Sequence, residues 1–399
     1  MDSFRVGLLL IPALAVLAPI LSKAVSRWVR VPIAVFELAL GILIGPAVLG
    51  LVAPEPTIEV FAQLGLAMLF FMAGSEIDFR SLAGRTGRRA ALGWVIGIGV
   101  ALAGAWLLVP GEAAIVIAIA LTTTALGTLL PILRDAGELT TGFGRTVSAL
   151  GAVGEFAPLV AISIFLGGRD PGISTIVLAA FILVGAVAIV LAIRGRHGRL
   201  HRFVAATLHT SGQLAIRIVL LILAALVVLS LALDLDILLG ALVAGIVWRL
   251  IMRNAPPEDR AAVESKVEGL AFGFLVPIFF IMTGVGFDLQ ALLDQPALLA
   301  LVPVVLVVIL VVRGLPSMLA APVGASTRER WSVALLGATG LPIIVAVTEI
   351  GTDEGLIPSS TASVLVAGGM LSVLLLPLIG MTLRGERDLV SMPIEDDLA

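Results

Sequence analysis

Glu155 stands in Val153-Gly154-Glu155-Phe156-Ala157-Pro158, with small or apolar residues on both sides. Arg145 comes ten residues earlier, which along a helix is roughly 15 Å. A lone carboxyl out of water keeps its proton, whereas a neighbouring cation favours the carboxylate. A group poised between those states can hold a proton or a cation in one place; a static buried ion pair is the plainer reading. Arg313, in Val311-Val312-Arg313-Gly314-Leu315-Pro316, stays charged in proteins and needs a buried anion. Glu155 is the deep carboxylate with no local partner, so an ion pair between Glu155 and Arg313 is expected whenever no cation is bound. The simpler alternative is an arginine whose stem snorkels to an interface. Glu37, in Val35-Phe36-Glu37-Leu38, lies nearer a helix end and reads as a structural hydrogen-bonding group with a possible supporting role. Arg217, Glu76, Asp78, Asp288 and Glu349 also lie near helix ends, where local roles are the default.

Two further stretches offer backbone rather than side-chain chemistry. One is Leu121-Thr122-Thr123-Thr124-Ala125-Leu126-Gly127-Thr128-Leu129-Leu130-Pro131; the other is Leu336-Gly337-Ala338-Thr339-Gly340-Leu341-Pro342. Threonine and glycine clusters ahead of a proline weaken a helical ladder. Backbone groups freed at membrane depth are tolerated only when buried in protein or lining a watery cavity. Matching breaks in two halves of a chain point to a binding site; two inert kinks are the alternative. Here Thr123 and Thr124 offer hydroxyls, and Thr122, Ala125, Gly337, Thr339 and Gly340 offer freed backbone.

These groups need a scaffold in a membrane. The 399 residues are 59% hydrophobic and 13% charged, against about a quarter charged in a soluble domain. Spans of about twenty apolar residues fall at 4–22, 31–51, 58–78, 90–109, 112–133, 145–166, 171–193, 212–232, 236–253, 267–287, 296–320, 328–351 and 357–383. With the N-terminus outside, the cytoplasmic segments collect nearly all Lys and Arg, as expected of inner loops. Only Arg5 and Arg169 fall outside, while Arg217 and Arg313 fall within spans. The prediction is an all-α integral membrane protein of thirteen helices, N-terminus out and C-terminus cytoplasmic.

The halves echo each other. Phe70-Phe71-Met72-Ala73-Gly74 is answered by Phe279-Phe280-Ile281-Met282-Thr283-Gly284, and Leu40-Gly41-Ile42-Leu43 by Leu239-Gly240-Ala241-Leu242. Two inverted six-helix repeats are expected, 1–170 and 212–384, joined by a linking helix and basic loop (171–211) and followed by a short acidic tail (385–399). Net charge of −3 gives no reason to expect nucleic acid. Cysteine is absent, and the three histidines (His197, His201, His209) share the basic loop. No cofactor is expected, and no metal cluster or nucleophile elbow supports an enzyme.

At these residues the chain resembles the monovalent cation:proton antiporter superfamily, in its second branch of bacterial sodium/proton and potassium/proton exchangers. Phe36-Glu37-Leu38-Ala39-Leu40-Gly41-Ile42-Leu43-Ile44-Gly45-Pro46 and Leu69-Phe70-Phe71-Met72-Ala73-Gly74-Ser75-Glu76-Ile77-Asp78 look like two of its helix signatures. Thr122-Thr123-Thr124-Ala125 falls at its unwound segment, Gly144-Arg145 with Glu155 at its binding carboxylate, and Arg313 at its pairing cation. The resemblance implies crossed broken helices in a core domain that moves against a dimer domain, a homodimer, elevator-type alternating access, and residence in the bacterial inner membrane. It departs at Gly154-Glu155, where the family usually has Asp preceded by Asp, Asn or Gln.

The expected activity is exchange of sodium or potassium for protons, electroneutral because Glu155 alone titrates. Glu155 is then the monovalent-cation ligand, helped by Thr123, Thr124 and the freed carbonyls. Two alternatives stand: an organic anion carried on the same fold at Arg313, and a non-transporting sensor or scaffold.

Overall fold

The structure, a computed structural model, describes residues 3–25, 32–77, 82, 84–166, 171–194, 213–252 and 255–384. The loop with His197, His201 and His209, Asp78 and the acidic tail 385–399 lie outside the described residues. All regular structure described is helical: α1 (Ser3–Val25), α2 (Ile33–Ile44), α3 (Pro56–Glu76), α4 (Arg85–Leu108), α5 (Glu112–Leu121), α6 (Leu126–Asp135), α7 (Gly142–Phe165), α8 (Pro171–Arg194) and α9 (Leu214–Ala232) in the first part. There follow α10 (Ile237–Met252), α11 (Pro257–Leu270), α12 (Val276–Val285), α13 (Leu289–Asp294), α14 (Pro296–Ile309), α15 (Thr327–Gly337), α16 (Pro342–Asp353) and α17 (Ser359–Arg384).

Ten helical stretches among the described residues are long and apolar enough to cross a membrane. Three of the thirteen expected spans coincide with shorter apolar helices, Ile33–Ile44, Pro171–Gly185 and Ile237–Met252. Large side chains such as Leu8, Leu107, Ile176 and Leu221 remain exposed on outer faces, where lipid rather than water is the favourable neighbour. The protein is an all-α integral membrane protein.

Apolar packing cannot hold helices together in lipid as it does in water, so small residues that admit close backbone approach take over. Two pairs of glycines do this reciprocally here. Gly41 of α2 lies against the carbonyl of Ile281 in α12, and Gly284 lies against the carbonyl of Leu38 in return. Gly245 of α10 lies against the carbonyl of Phe71 in α3, and Gly74 against the carbonyl of Leu242. The two contacts are copies of one another, with Gly41 in the place of Gly245 and Gly74 in the place of Gly284. In this packing Gly245, rather than the Gly240 matched to Gly41 in the sequence, makes the contact that resembles Gly41's. Gly240 instead meets Ser230 and the Leu226 carbonyl on α9.

Two helices contain a single π-turn, Ala271–Leu275 ahead of α12 and Leu310–Gly314 after α14. In each, a proline (Pro277, Pro316) follows two residues after the turn. Proline has no N–H, so the carbonyl four residues before it loses its donor. The ladder then widens to five-residue steps, with Val276 N–H on the Ala271 carbonyl and Leu315 N–H on the Leu310 carbonyl. The second turn places Arg313 on the inner side of its helix, fully buried, while Val312 and Pro316 turn their carbonyls to Gly97 and Gly93 of α4.

A methyl group at Gly41 or Gly245 would press on a neighbouring helix's backbone, and overpacking costs about 1–3 kcal/mol. Gly41→Ala and Gly245→Ala are therefore expected to lower the thermal unfolding midpoint in detergent. Gly99→Ala, where a β-carbon meets nothing, is expected to leave the midpoint unchanged.

Candidate functional site

Both expected breaks are present. α5 ends at Leu121 and α6 begins at Leu126; α15 ends at Gly337 and α16 begins at Pro342. At the second break proline opens the new helix, where its missing N–H costs nothing. At the first, Pro131 lies well inside α6, so the threonines make the interruption. The Thr122 hydroxyl donates to the Ala118 carbonyl at 2.9 Å and that of Thr123 to the Ala120 carbonyl at 3.4 Å. Both end α5 by folding back on it, as hydroxyls do when they compete with the ladder.

The breaks meet and satisfy each other. The Ala125 amide donates to the Thr339 carbonyl at 2.7 Å, and the Thr124 hydroxyl donates to the Gly337 carbonyl at 2.5 Å. The Thr124 amide donates to the Gly154 carbonyl of α7 at 3.1 Å. Gly340 sits so close to Thr123 that a β-carbon there would lie 2.5 Å from the hydroxyl oxygen; only glycine fits. Thr339 sends its own hydroxyl back to Leu335 at 3.2 Å.

Glu155 and Arg313 flank this crossing. Glu155 is 4% exposed and Arg313 fully buried. Glu155 Oε1 accepts from the Leu126 amide at 2.8 Å, so the carboxyl caps the first turn of α6, where helix dipole and free amides favour negative charge. Its Oε2 is buried with no hydrogen-bond partner. Arg313 donates from Nε to Thr124 Oγ1 and from Nη2 to the Leu150 carbonyl of α7, both at 2.8 Å. Its Nη1 is buried and unpartnered.

The direct Glu155–Arg313 ion pair expected from the sequence is not among the described ion pairs in this conformation. The reason is local: Thr124 and the Leu150 carbonyl hold the guanidinium, and the end of α6 holds the carboxyl. The two charges are linked through the first break, by way of Thr124, Ala125 and Leu126. Gly154 belongs to the arrangement too. A β-carbon there would lie 2.5 Å from Thr124 Oγ1 and 2.7 Å from Arg313 Nη2, so the guanidinium occupies the space that a side chain before Glu155 would fill.

Thr122, Thr123, Thr124, Ala125, Gly337, Thr339, Gly340, Glu155 and Arg313 thus come together. Glu37 does not: it is buried in α2, which packs on α12, with no described hydrogen bond to either break. Sequence reasoning missed Ser372 of α17, which braces Gly340 from the far side. Its one signal was a lone hydroxyl in the apolar run Gly368-Gly369-Met370-Leu371-Ser372-Val373. Among the described residues no three His, Asp or Glu side chains gather into a metal cluster. Any cation held here would rest on one carboxylate, hydroxyls and carbonyls, a hard-oxygen set.

Comparison with known proteins agrees over nearly the whole chain. The family model for "Sodium/hydrogen exchanger, transmembrane" matches residues 13–383. YjbQ of Bacillus subtilis is 25% identical over 392 residues, covering 93% of this chain, which spans only 62% of that protein's length. The Na(+)/H(+)-K(+) antiporter GerN of Bacillus cereus is 26% identical over 350 residues, covering 82% of this chain and 87% of GerN. The fold is that of the sodium proton antiporter MjNhaP1 from Methanocaldococcus jannaschii at pH 8, with a TM-score of 0.66, 18% identity, and coverage of 96% and 99% of the two chains. With its crossed helix breaks and a family match over residues 13–383, the chain belongs to the transmembrane sodium/hydrogen exchanger family.

Proposed function

We propose that the protein exchanges a monovalent cation, sodium or potassium, for protons across a bacterial plasma membrane, with Glu155 binding each in turn. The observation that carries this is Glu155 Oε2, a buried carboxyl oxygen without a protein partner at the crossing of two broken helices. A buried acceptor left open in this way calls for a proton or a cation. Thr123 offers a hydroxyl oxygen to the cation, since its described bond uses only its proton. Thr124 serves chiefly to hold Arg313 and Gly337 in place. Arg313 supplies a fixed positive charge beside the empty carboxylate. Among the described residues Glu155 is the one carboxyl at the crossing itself, so we read the exchange as one proton for one cation, moving no net charge.

The architecture we propose has thirteen spans in two inverted six-helix repeats, 1–170 and 212–384, with N-terminus outside. The duplicated glycine contacts between α2 and α12 and between α3 and α10 support it. Those four helices suit a stationary dimer domain in a homodimer. The helices of the crossing suit a core that slides against it, elevator fashion. A cavity of about 340 Å³ between the two groups, lined by Glu59, Gln63, Thr283, Thr348, Glu349 and Asp353, supports one water route toward α16. A second reading, an organic anion held by Arg313, is favoured by its unpartnered Nη1.

In proteoliposomes, Na⁺, K⁺ or Li⁺ is expected to dissipate a pH gradient, and Glu155→Gln to reduce this to the level of empty vesicles. Transport indifferent to all three cations would favour the anion reading. Ion-dependent current would overturn electroneutrality. Because proton and cation compete for one carboxyl, lowering pH is expected to raise the half-saturating cation concentration, approaching about tenfold per pH unit where the carboxyl is mostly protonated. Thr124→Val strands a charged buried donor, a loss of about 1–3 kcal/mol or more, and should lower the unfolding midpoint as well as transport. Thr123→Ala is expected to raise the half-saturating cation concentration while leaving the midpoint near wild type.

A further inference from the structure

The two breaks are each gripped by the helix that follows them in the chain, but by different chemistry. At the first, Glu155 of α7 takes the Leu126 amide. At the second, Ser372 of α17 takes the Gly340 amide, at 3.1 Å. The same hydroxyl lies 2.9 Å from the Gly340 carbonyl and 2.7 Å from the Gly369 carbonyl, both as acceptors. Ser372 is fully buried. A hydroxyl has one proton and two lone pairs. It can therefore keep the Gly340 N–H while donating to only one of the two carbonyls fully. Gly340 is in turn pressed against Thr123, the hydroxyl on the opposite side of the crossing.

We propose that Ser372 is a positioning residue for the transported cation: it holds the Gly340 peptide against Thr123 and so fixes the hydroxyl proposed above as a ligand beside Glu155. Ser372 does not itself touch the ion. It stands where the other half of the crossing has a carboxyl, so the second break keeps the same grip whether a proton or a cation is bound. Only the first break changes its charge during the cycle. This inference rests on the cation-exchange reading above.

The test is cation titration of transport in proteoliposomes for wild type, Ser372→Ala, Ser372→Thr and Ser332→Ala, with unfolding midpoints measured in parallel. Ser332 is a buried hydroxyl without a partner, five residues before α15 ends at Gly337. Ser372→Ala is expected to raise the half-saturating cation concentration at least fivefold with maximal rate within twofold of wild type. Ser372→Thr, which keeps the hydroxyl, should restore wild-type half-saturation, and Ser332→Ala should show it unchanged. Equal half-saturation for Ser372→Ala and wild type overturns the proposal, as does a shift of the same size in Ser332→Ala. Should the alanine variant fail to insert, Ser372→Cys, closer in size to serine, is titrated in its place and read the same way. A wild type that moves none of the cations overturns the exchange reading itself and is told apart from these outcomes by that silence.

Discussion

The amide of Ala125 donates to the carbonyl of Thr339, and much else in the molecule follows from the need for bonds of that kind. In hydrocarbon an unpaired backbone group costs several kcal/mol. A helix that stops halfway across a membrane exposes such groups at both new ends. Here each interruption answers part of the other's need, through Ala125 with Thr339 and Thr124 with Gly337. Neither break could exist alone at that depth. Side chains from α7 and α17 complete the pairing with Glu155 and Ser372.

The charges are consequences of the same geometry. The start of α6 presents amides and the positive end of a helix dipole, which welcome a carboxylate. Arg313 reaches the crossing because Gly154 leaves room for its guanidinium and a π-turn faces it inward. Each charge is held by neutral groups rather than by the other. A carboxyl that is not locked to an arginine can exchange one small positive partner for another without first breaking a buried ion pair, which would be costly.

The sequence made the main actors legible because each violates its surroundings. Glu155 and Arg313 are charges in apolar runs, and the threonine and glycine clusters interrupt otherwise continuous helices. Their partners were not legible, because Leu150, Gly337 and the Leu126 amide contribute backbone atoms that any residue type could supply. Charge alone suggested pairing Glu155 with Arg313; a hydroxyl and a carbonyl from other helices took the guanidinium instead. Pro131 marked the right helix and the wrong residue, since a proline needs only a missing ladder bond, whereas threonines can end a helix themselves. Small residues recur along α10, so sequence alone did not single out Gly245 as the glycine that packs against α3.

The π-turn at Leu310–Gly314 spends one residue more than a plain helix would to climb the same height. The segments before and after it are therefore out of phase by about 100°, the rotation contributed by a single residue. This makes the turn a phase marker in the chain. Whole turns could be added to or removed from the N-terminal end of α14 with little effect on which way Arg313 faces. The loss of a single residue inside 310–314 would restore an ordinary helix and swing the arginine away from Thr124 and Leu150. In this protein, length in that one turn decides where Arg313 points as much as residue identity does.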